Sequence, residues 1–409
     1  MRVLSVTQTY FPFLEFGGPP VKVRALSKAL VRLGHQVTVL TADWGLASRS
    51  ASENGISDSA VRSPFGWGWN EDGVEAVYLP SWLRYRALSW NPAVKRFCRE
   101  RLADFDVVHI FGIYDLLGPT VADFCCSRRV PYVVEPIGMF LPIVRNFFLK
   151  RMYHLLLGNR MLRRCSSVIA TSNQEVSELA SAGLPSEKIV LRRNGVDMPE
   201  ALPERGKFRA AHGILPEAKL ILFLGRLSPK KSPDLLLQAF AMLCAQKEFA
   251  DLKLAFVGPD ESGMKDKLMR MASELGVTSR VKFCEALFGE AKWSAYRDAD
   301  IFVLPSQNEN FGNTAAEAVA AGTPVVVTQQ CGIAPLLAGV AGLTAEHDTA
   351  AISRELARIL TEPGLHARLI AGCREVASRL DWEQPAREME ALYRRLAPME
   401  ECRALYTGA

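Results

Sequence analysis

Residues 301–328 read IFVLPSQNENFGNTAAEAVAAGTPVVVT, which is an apolar run, a polar loop, a helical stretch and a second β-branched run. The loop holds Glu309 and the helical stretch holds Glu317, with the turn Phe-Gly-Asn-Thr between them. We expect Asn313 or Thr314 to cap the helix, whose N–H groups and dipole then favour an anionic ligand. The segment suits a ligand with phosphate and hydroxyl groups, such as a sugar nucleotide. The alternative is an ordinary loop with an exposed glutamate at each end.

The composition indicates a globular protein of two domains. The chain has 409 residues, of which 49% are apolar and 23% charged, and this is enough to build more than one core. It has no apolar run long enough for a transmembrane helix, and its start lacks the apolar stretch of a signal peptide. Nine cysteines without metal-ligand spacing favour a reducing cytoplasm.

Charge is unevenly distributed along the chain. Residues 1–197 hold 24 Lys and Arg against 17 Asp and Glu, whereas the remainder holds 25 against 27. The basic first half favours an anionic surface or acceptor on that side. No motif supports a nucleic-acid partner.

Both halves of the chain alternate short β-branched runs with helical patterns, which predicts two parallel, doubly wound α/β sheets. We expect an amphipathic helix at 20–33 and a mobile surface loop at 45–72, with its tip at Trp67-Gly68-Trp69. The predicted strands are 3–7, 36–41, 74–79, 106–110, 131–134, 167–171, 188–191, 219–224, 252–257, 281–284, 301–304 and 324–328.

The pattern breaks around residues 194–197, which are followed by two prolines. We therefore predict an acceptor-binding domain at 1–197 and a donor-binding domain at 198–383. A last helix begins near residue 384, and we expect 384–409 to cross back to the first domain.

Two loops hold residue types that bind phosphate. Arg226 and Lys231 follow the strand 219–224, where cations would stabilise charge on a departing diphosphate; taken alone, a solvated basic turn fits equally well. Gly17 and Gly18 follow the first strand and allow close approach of the backbone to a ligand. The sequence there is not GxGxxG, which disfavours nicotinamide binding.

The chain resembles the retaining glycosyltransferases of family 4, which have the GT-B fold of two Rossmann-like domains facing across a cleft. The resemblance covers the whole chain. The last two of the motifs named next are the most specific. The motifs are the Gly17-Gly18 loop, Leu33-Gly34-His35 with Val37, residues 106–109, residues 193–197, Gly225-Arg226-Leu227 with Lys231, and Glu309 with Glu317.

The resemblance implies a role for each matching residue. Arg226 and Lys231 hold the donor diphosphate, Glu309 contacts the hydroxyls of the donor sugar, and Glu317 accepts hydrogen bonds from the ribose. Residues after Lys282 flank the nucleobase. The anomeric configuration is retained, and neither a metal nor another cofactor is needed. Further donor contacts are implied at Gly17, Gly18, Gly258, Phe311, Gly312, Asn313 and Thr314.

One position departs from the family pattern. Relatives often carry Pro-His-Gly-Met where this chain has Pro136-Ile137-Gly138-Met139, and isoleucine cannot form the hydrogen bond of the histidine. The residues on the sugar or acceptor side would be His109, Ile137 and Gly138. For His109 we weigh a core histidine satisfied by a backbone group as the alternative. The Asp-x-Asp triplets at 104–106 and 298–300 fit capping at the start of a strand better than metal binding.

The sequence thus predicts a metal-independent hexosyltransferase of the cytoplasm that uses a UDP- or GDP-linked sugar. Its acceptor would be a glycan or a lipid-linked intermediate of cell-surface polysaccharide synthesis. Residues 141–165 hold six Lys and Arg and no acid, and Trp82–Arg101 is also basic, which favours peripheral contact with an anionic membrane. A core helix with a solvated basic edge is the alternative. The rival functions are a sugar-nucleotide epimerase or hydrolase, and a non-catalytic sugar-nucleotide-binding subunit.

Overall fold

A computed structural model of the chain describes residues 1–14, 17–46, 60–85, 88–140, 151–261 and 263–397. The chain divides into two compact units, Met1–Asn194 with Trp382–Ala409, and Gly195–Asp381. The predicted boundaries at 197 and 383 differ from these by a few residues. Each unit is an α/β domain, and we describe each by itself.

The first unit is built on a nine-stranded sheet in the order β11-β10-β9-β8-β1-β2-β5-β4-β3. The strands from β11 to β5 are parallel, whereas β4 and β3 are antiparallel. Two further short strands, β6 and β7, pair with each other as a hairpin. The strands are β1 Arg2–Thr7, β2 Gln36–Ala42, β3 Val61–Ser63, β4 Gly66–Glu71, β5 Val74–Leu79, β6 Leu83–Tyr85, β7 Leu88–Trp90, β8 Val107–Phe111, β9 Tyr132–Glu135, β10 Ser167–Ala170 and β11 Ile189–Leu191.

Helices cover both faces of this sheet. One hydrophobic core joins a face of the sheet to the helices Ala93–Arg101, Leu117–Arg128 and Asn159–Arg164. The other core joins the opposite face to the helices Gly18–Arg32 and Glu383–Leu396. The C-terminal helix therefore packs within the first unit, as predicted from the sequence. A helix at Asn173–Ser181 completes the unit.

The interpretation of 45–72 as a mobile surface loop is wrong for the part that the structure describes after residue 60. Strands β3 and β4 extend the sheet there, and β4 pairs with β5 over five residue pairs from Trp67 to Glu71. Trp69 is 8% exposed and its ring stacks on Phe11, with 5.2 Å between the centroids. Trp67 and Trp69 are two residues apart and pack toward the same core, as in a strand, because successive residues of a strand face opposite sides. Residues 47–59 lie outside the described residues.

The second unit is built on a six-stranded parallel sheet in the order β14-β13-β12-β15-β16-β17. Counted from the first strand of the unit this order is 3-2-1-4-5-6, the arrangement of dinucleotide-binding folds. Strand β17 was not predicted, because it is a four-residue run whose first residue is glycine. The strands are β12 Leu220–Leu224, β13 Lys253–Val257, β14 Val281–Cys284, β15 Ile301–Leu304, β16 Val325–Thr328 and β17 Gly342–Ala345.

Two cores on opposite faces of the second sheet hold its helices. None of the helices in the described part of the chain is both long and apolar enough to cross a membrane. The helices of the second unit are Lys207–Ala211, Pro233–Cys244, Met264–Glu274, Gly289–Asp298, Asn313–Ala320, Ala334–Leu337, Thr349–Thr361 and Leu365–Ala377.

Candidate functional site

The strongest candidate site lies where the strand order of the second sheet reverses. Strands β12 and β15 are neighbours at this point, and the chain leaves them in opposite directions across the sheet. The loop after β12 holds Arg226 and Lys231, and the loop after β15 holds Glu309. In open α/β sheets ligands bind at the carboxyl ends of the strands at such a switch point.

Lys231 and Glu309 meet between these two loops. The ammonium group pairs with Oε2 of the carboxylate, and the side chains are 17% and 19% exposed. Ser306 Oγ lies 3.4 Å from the same oxygen. Burial alone would raise the pKa of the Glu309 carboxyl, but the Lys231 charge and hydrogen bond hold that pKa below its ordinary value. The structure thus brings these two predicted residues together, and their roles toward a donor stay predictions.

Backbone hydrogen bonds fix the loop that carries Glu309. Its N–H donates to the Gln330 carbonyl at 3.0 Å, and its carbonyl accepts from Gly332 N–H at 2.9 Å. Gln307 N–H donates to the Lys230 carbonyl at 3.0 Å, which ties this loop directly to the loop after β12. The carboxylate therefore stands on a framework that is organised before a ligand binds.

Arg226 is not part of this ion pair. Its side chain is 57% exposed and lies 3.8 Å from Glu261. An exposed pair of this kind contributes little free energy, so an anionic ligand could take over the guanidinium at small cost.

Gly258 is required for packing. A Cβ at this position would lie 2.0 Å from the carbonyl oxygen of Gly225, which follows the neighbouring strand. The close approach of the two loops explains the glycine without a ligand. Its predicted contact with the donor stays a prediction.

The helix after Glu309 begins at Asn313, but not as predicted. Gly312 occupies the cap position with φ of 103°, and no side chain caps the helix. The expectation that Asn313 or Thr314 caps it is therefore wrong, because the left-handed backbone needs glycine there. The Phe311 side chain is buried in the core of the unit, so only its backbone remains for a ligand.

Glu317 lies further along the same helix and is held by two residues that the sequence analysis missed. Lys292 Nζ donates to Oε1 at 2.9 Å, and Tyr296 Oη donates to Oε2 at 2.8 Å. Each carboxylate oxygen has a second lone pair, so the group can still accept from sugar hydroxyls. The spacing of Lys292 and Tyr296 by one helical turn was the available signal.

In the first unit, the glycine loop leads into a helix as predicted. Gly17 has φ of 93° and precedes the helix Gly18–Arg32, which has no side-chain cap and prolines in its first turn. Pro19 and Pro20 carry no N–H, so in that turn only the N–H groups of Gly18 and Val21 remain for an anion.

Ile137 adopts a left-handed backbone with φ of 56°, and Gly138 follows with φ of 65°. The Gly138 N–H donates to Glu175 Oε1 at 2.8 Å, and Met139 N–H closes the turn on the Pro136 carbonyl at 3.1 Å. A β-branched residue rarely adopts this conformation, which costs about 1–2 kcal/mol. The strained turn stands where the family has its histidine.

His109 is fully buried, with Nδ1 at 2.7 Å from Tyr393 Oη and Nε2 at 3.4 Å from Glu135. Burial lowers the pKa of this imidazole to about 4, although Glu135 opposes the shift. The ring is therefore a neutral core histidine, and the structure does not present it to an acceptor. Its partners are side chains and not the backbone group that the sequence analysis considered.

A buried charge cluster around Glu135 was not predicted from the sequence. This carboxylate is fully buried and pairs with Lys22 and Arg192. Burial lowers the pKa of Lys22 to about 8. Arg192 also donates to the Arg193 carbonyl at 3.3 Å. The signal was Lys22 itself, which lies one turn before the buried Leu26 on the apolar face of its helix.

The two Asp-x-Asp triplets bind backbone and basic groups. Asp106 accepts from Arg2 N–H at 2.6 Å, and Asp300 accepts from Leu220 N–H at 2.8 Å. Asp298 accepts from Gly206 and Phe208 N–H groups at 2.5 and 2.8 Å. Asp106 and Asp300 thus tie down the starts of strands, as expected, whereas Asp298 holds the start of a helix, which was not predicted.

Family profiles match both units. The profile described as "Glycosyl transferase 4-like domain" matches residues 17–195, and that described as "Glycosyl transferases group 1" matches residues 204–376. Together they span nearly all of the chain that forms the two sheets.

Relatives carry names of the same kind. A D-inositol 3-phosphate glycosyltransferase of Corynebacterium urealyticum is 28% identical over 95% of this chain and 92% of its own length. A protein of that name from Actinosynnema mirum is 33% identical, but the match spans 57% of this chain and only 58% of that relative.

Solved structures share the fold over nearly the whole chain. Sucrose-phosphate synthase from Thermosynechococcus elongatus has a TM-score of 0.73 at 18% identity, covering 97% of this chain and 98% of that one. HepE from Anabaena, solved in complex with UDP and glucose, has a TM-score of 0.72 at 19% identity, covering 96% and 99%.

Proposed function

The chain belongs to the family 4 glycosyltransferases of GT-B fold, and from this premise we propose that it transfers a sugar from a nucleotide sugar to a hydroxyl acceptor with retention of anomeric configuration. The donor is a UDP- or GDP-linked sugar that binds to the second unit. The acceptor is a glycan or a lipid-linked intermediate of cell-surface polysaccharide synthesis.

The observation that carries this proposal is the Lys231–Glu309 ion pair at the switch point of the 3-2-1-4-5-6 sheet. A cation suits the diphosphate and a carboxylate suits the sugar hydroxyls, so one site addresses both halves of a nucleotide sugar. The Glu317 carboxylate, which Lys292 and Tyr296 orient, is suited to the ribose. HepE was solved with UDP-glucose, which supports this class of donor.

The proposed reaction breaks the bond between the anomeric carbon and the diphosphate oxygen. Negative charge develops on the departing diphosphate, and Lys231 and Arg226 stabilise it. The acceptor hydroxyl attacks the same face of the sugar, and its proton passes to a phosphate oxygen of the leaving group. Glu309 orients the sugar during this step. Because the cations bear the developing charge, we propose that the reaction needs no metal ion.

The charge of the first unit and the names of the relatives both bear on the identity of the acceptor. The basic excess of residues 1–197 favours an anionic acceptor in the first unit. Several relatives are named for D-inositol 3-phosphate, a phosphorylated polyol, although the chain spans only about half of their length. D-inositol 3-phosphate should therefore be tested as an acceptor together with lipid-linked glycans.

The test is a screen of UDP- and GDP-sugars that measures release of nucleoside diphosphate with and without each acceptor. We expect release with one donor class that rises when an acceptor is added, and that persists in EDTA. The anomeric proton of the product, observed by NMR, should report the configuration of the donor. Release that no acceptor increases would indicate a hydrolase, and binding without release would indicate a non-catalytic subunit.

A further inference from the structure

Exposed apolar side chains gather on one part of the first unit. The hairpin formed by β6 and β7 exposes 73% of Trp82, 66% of Leu83 and 47% of Trp90. The two indole rings meet edge to face with 5.8 Å between their centroids. The backbone N–H of Trp82 donates to the Trp90 carbonyl at 3.0 Å. The rings are thus held in position on a short hairpin.

These side chains continue into a second exposed group. Trp90, Lys95 and Leu116 line one shallow cavity. The backbone carbonyl of Asp115, the residue before Leu116, accepts from Tyr153 Oη at 2.7 Å. This hydrogen bond brings the helical segment that follows Tyr153 to the same side. That segment exposes 75% of Leu155 and 62% of Leu156.

We call this set the Trp82–Leu156 surface: Trp82, Leu83, Trp90, Leu116, Leu155 and Leu156. Its hairpin part meets the helices that cover one face of the first sheet where Trp90 lines the cavity with Leu116. Two basic stretches that are far apart in the sequence, Trp82–Arg101 and the described part of 141–165, therefore share this helical layer.

Basic residues are exposed on two helices of the same layer. Lys95 and Arg99 are exposed on the helix Ala93–Arg101, and Arg160, Arg163 and Arg164 are exposed on the helix Asn159–Arg164. The acidic residues are fewer: Glu100 pairs with Arg96 at 2.8 Å, and Asp123 of the intervening helix pairs with Arg160 at 2.9 Å and lies 4.0 Å from Arg164. The layer therefore carries an excess of basic side chains beside its exposed apolar ones.

We propose that the Trp82–Leu156 surface binds the face of an anionic phospholipid bilayer. Tryptophan and leucine enter the boundary between headgroups and acyl chains, while Lys and Arg bind the anionic headgroups. The excess of cations over acids on these helices favours an anionic surface over a protein partner. Binding to the bilayer would bring the enzyme to a lipid-linked acceptor, and in this respect the proposal rests on the proposed function.

Co-sedimentation of the full chain with vesicles tests the proposal without any sugar donor. One set of vesicles is phosphatidylcholine, and the other contains equal parts of phosphatidylcholine and phosphatidylglycerol. We expect binding to the anionic vesicles only. The variant Lys95→Gln/Arg99→Gln should bind more weakly by about fivefold per cation removed. Trp82→Ala/Trp90→Ala and Leu155→Ser/Leu156→Ser should each weaken binding at least tenfold.

A matched control removes exposed apolar side chains from the second unit. Met242→Ser/Phe288→Ser changes residues that are 47% and 53% exposed, and its vesicle binding should equal that of the unchanged chain. Circular dichroism and unfolding curves verify that each variant folds. Because no donor is present, failure of the proposed transfer reaction would leave this result unaffected.

Three results would overturn the proposal. The first is absence of binding to the anionic vesicles, and the second is equal loss in the control. In the third, the tryptophan variant raises the KM for a water-soluble acceptor, or abolishes dimers of the chain, while vesicle binding persists. That result would make the surface an acceptor site or an interface between copies.

Discussion

The Lys231 ammonium pairs with the Glu309 carboxylate between two loops that leave neighbouring strands of the second sheet. Because both side chains are largely shielded from water, removing one partner leaves the other charged and poorly solvated. We predict that Lys231→Met lowers the free energy of unfolding by about 1–3 kcal/mol. The double variant Lys231→Met/Glu309→Gln should recover most of that loss, as measured by urea unfolding.

The exposed Arg226–Glu261 pair gives the matched control, since Arg226→Gln should change the unfolding free energy by less than about 0.5 kcal/mol. A double variant with the summed loss of the two single variants would show that Lys231 and Glu309 are not coupled.

Glu317 depends on Tyr296 for its orientation, because the phenol donates to one of its oxygens at 2.8 Å. Tyr296→Phe removes that hydrogen bond and little else. We expect the KM for the donor to rise about 5–30-fold, from about 1–2 kcal/mol of lost orientation, with kcat nearly unchanged. Steady-state kinetics against donor concentration measures the two parameters.

Tyr393→Phe makes the same chemical change in the first unit, where the phenol binds His109. It should lower stability and leave the KM for the donor unchanged. A Tyr296→Phe enzyme whose KM for the donor matches that of the unchanged chain would remove Glu317 from the donor site.

His109 makes stability depend on pH. Its pKa in the folded chain is lowered to about 4, so between pH 6.5 and 4 the unfolded chain binds a proton that the folded chain does not. Stability therefore falls as pH falls through this window. Between pH 6.5 and 5, which lies above the range in which Glu135 titrates, the free energy of unfolding falls by about 2 kcal/mol.

Urea unfolding across this pH range measures the effect. His109→Gln should be less stable than the unchanged chain near neutral pH and should show a smaller slope below pH 6.5. Equal slopes in the two proteins would show that His109 does not carry the dependence.

Ile137 adopts a left-handed turn in which histidine is tolerated better than a β-branched residue. We predict that Ile137→His folds with at least equal stability and changes the ratio of kcat/KM between competing donors. The screen of nucleotide sugars measures that ratio. Ile137→Asn, which suits the same turn, separates relief of strain from the hydrogen bond of the imidazole. An unchanged donor ratio would mean that the position does not contact the donor.

The alternation of strands and helices was predictable because each buried parallel strand is a short β-branched run with few competing interpretations. The hairpin at β3 and β4 was missed because its glycines and serines suggested a loop. The pairing of Lys231 with Glu309 followed from their positions after strands. By contrast, the spacing of Lys292 and Tyr296 places both on one face of a helix, but their contacts with Glu317 depend on how two helices pack, which the spacing does not give.

The buried cluster of Lys22, Glu135 and Arg192 shows the same limit. Each residue stands near the end of a predicted element, where a charged side chain is usually solvated. Only the three-dimensional arrangement brings the opposite charges together inside the first unit. For its neighbour His109 a core position was only the alternative to a place on the acceptor side, and its tyrosine and glutamate partners lie far away in the sequence.

The central claim is that Glu309 of the second unit acts on the sugar of a bound nucleotide sugar. The most direct measurement is the rate of nucleoside diphosphate release by Glu309→Gln, with Glu261→Gln as an exposed control and saturating donor and acceptor. We predict a loss of at least about 100-fold for Glu309→Gln, within the range for removing one stabilising group, and less than about twofold for the control. Release by a folded Glu309→Gln protein at the rate of the unchanged chain would contradict the account.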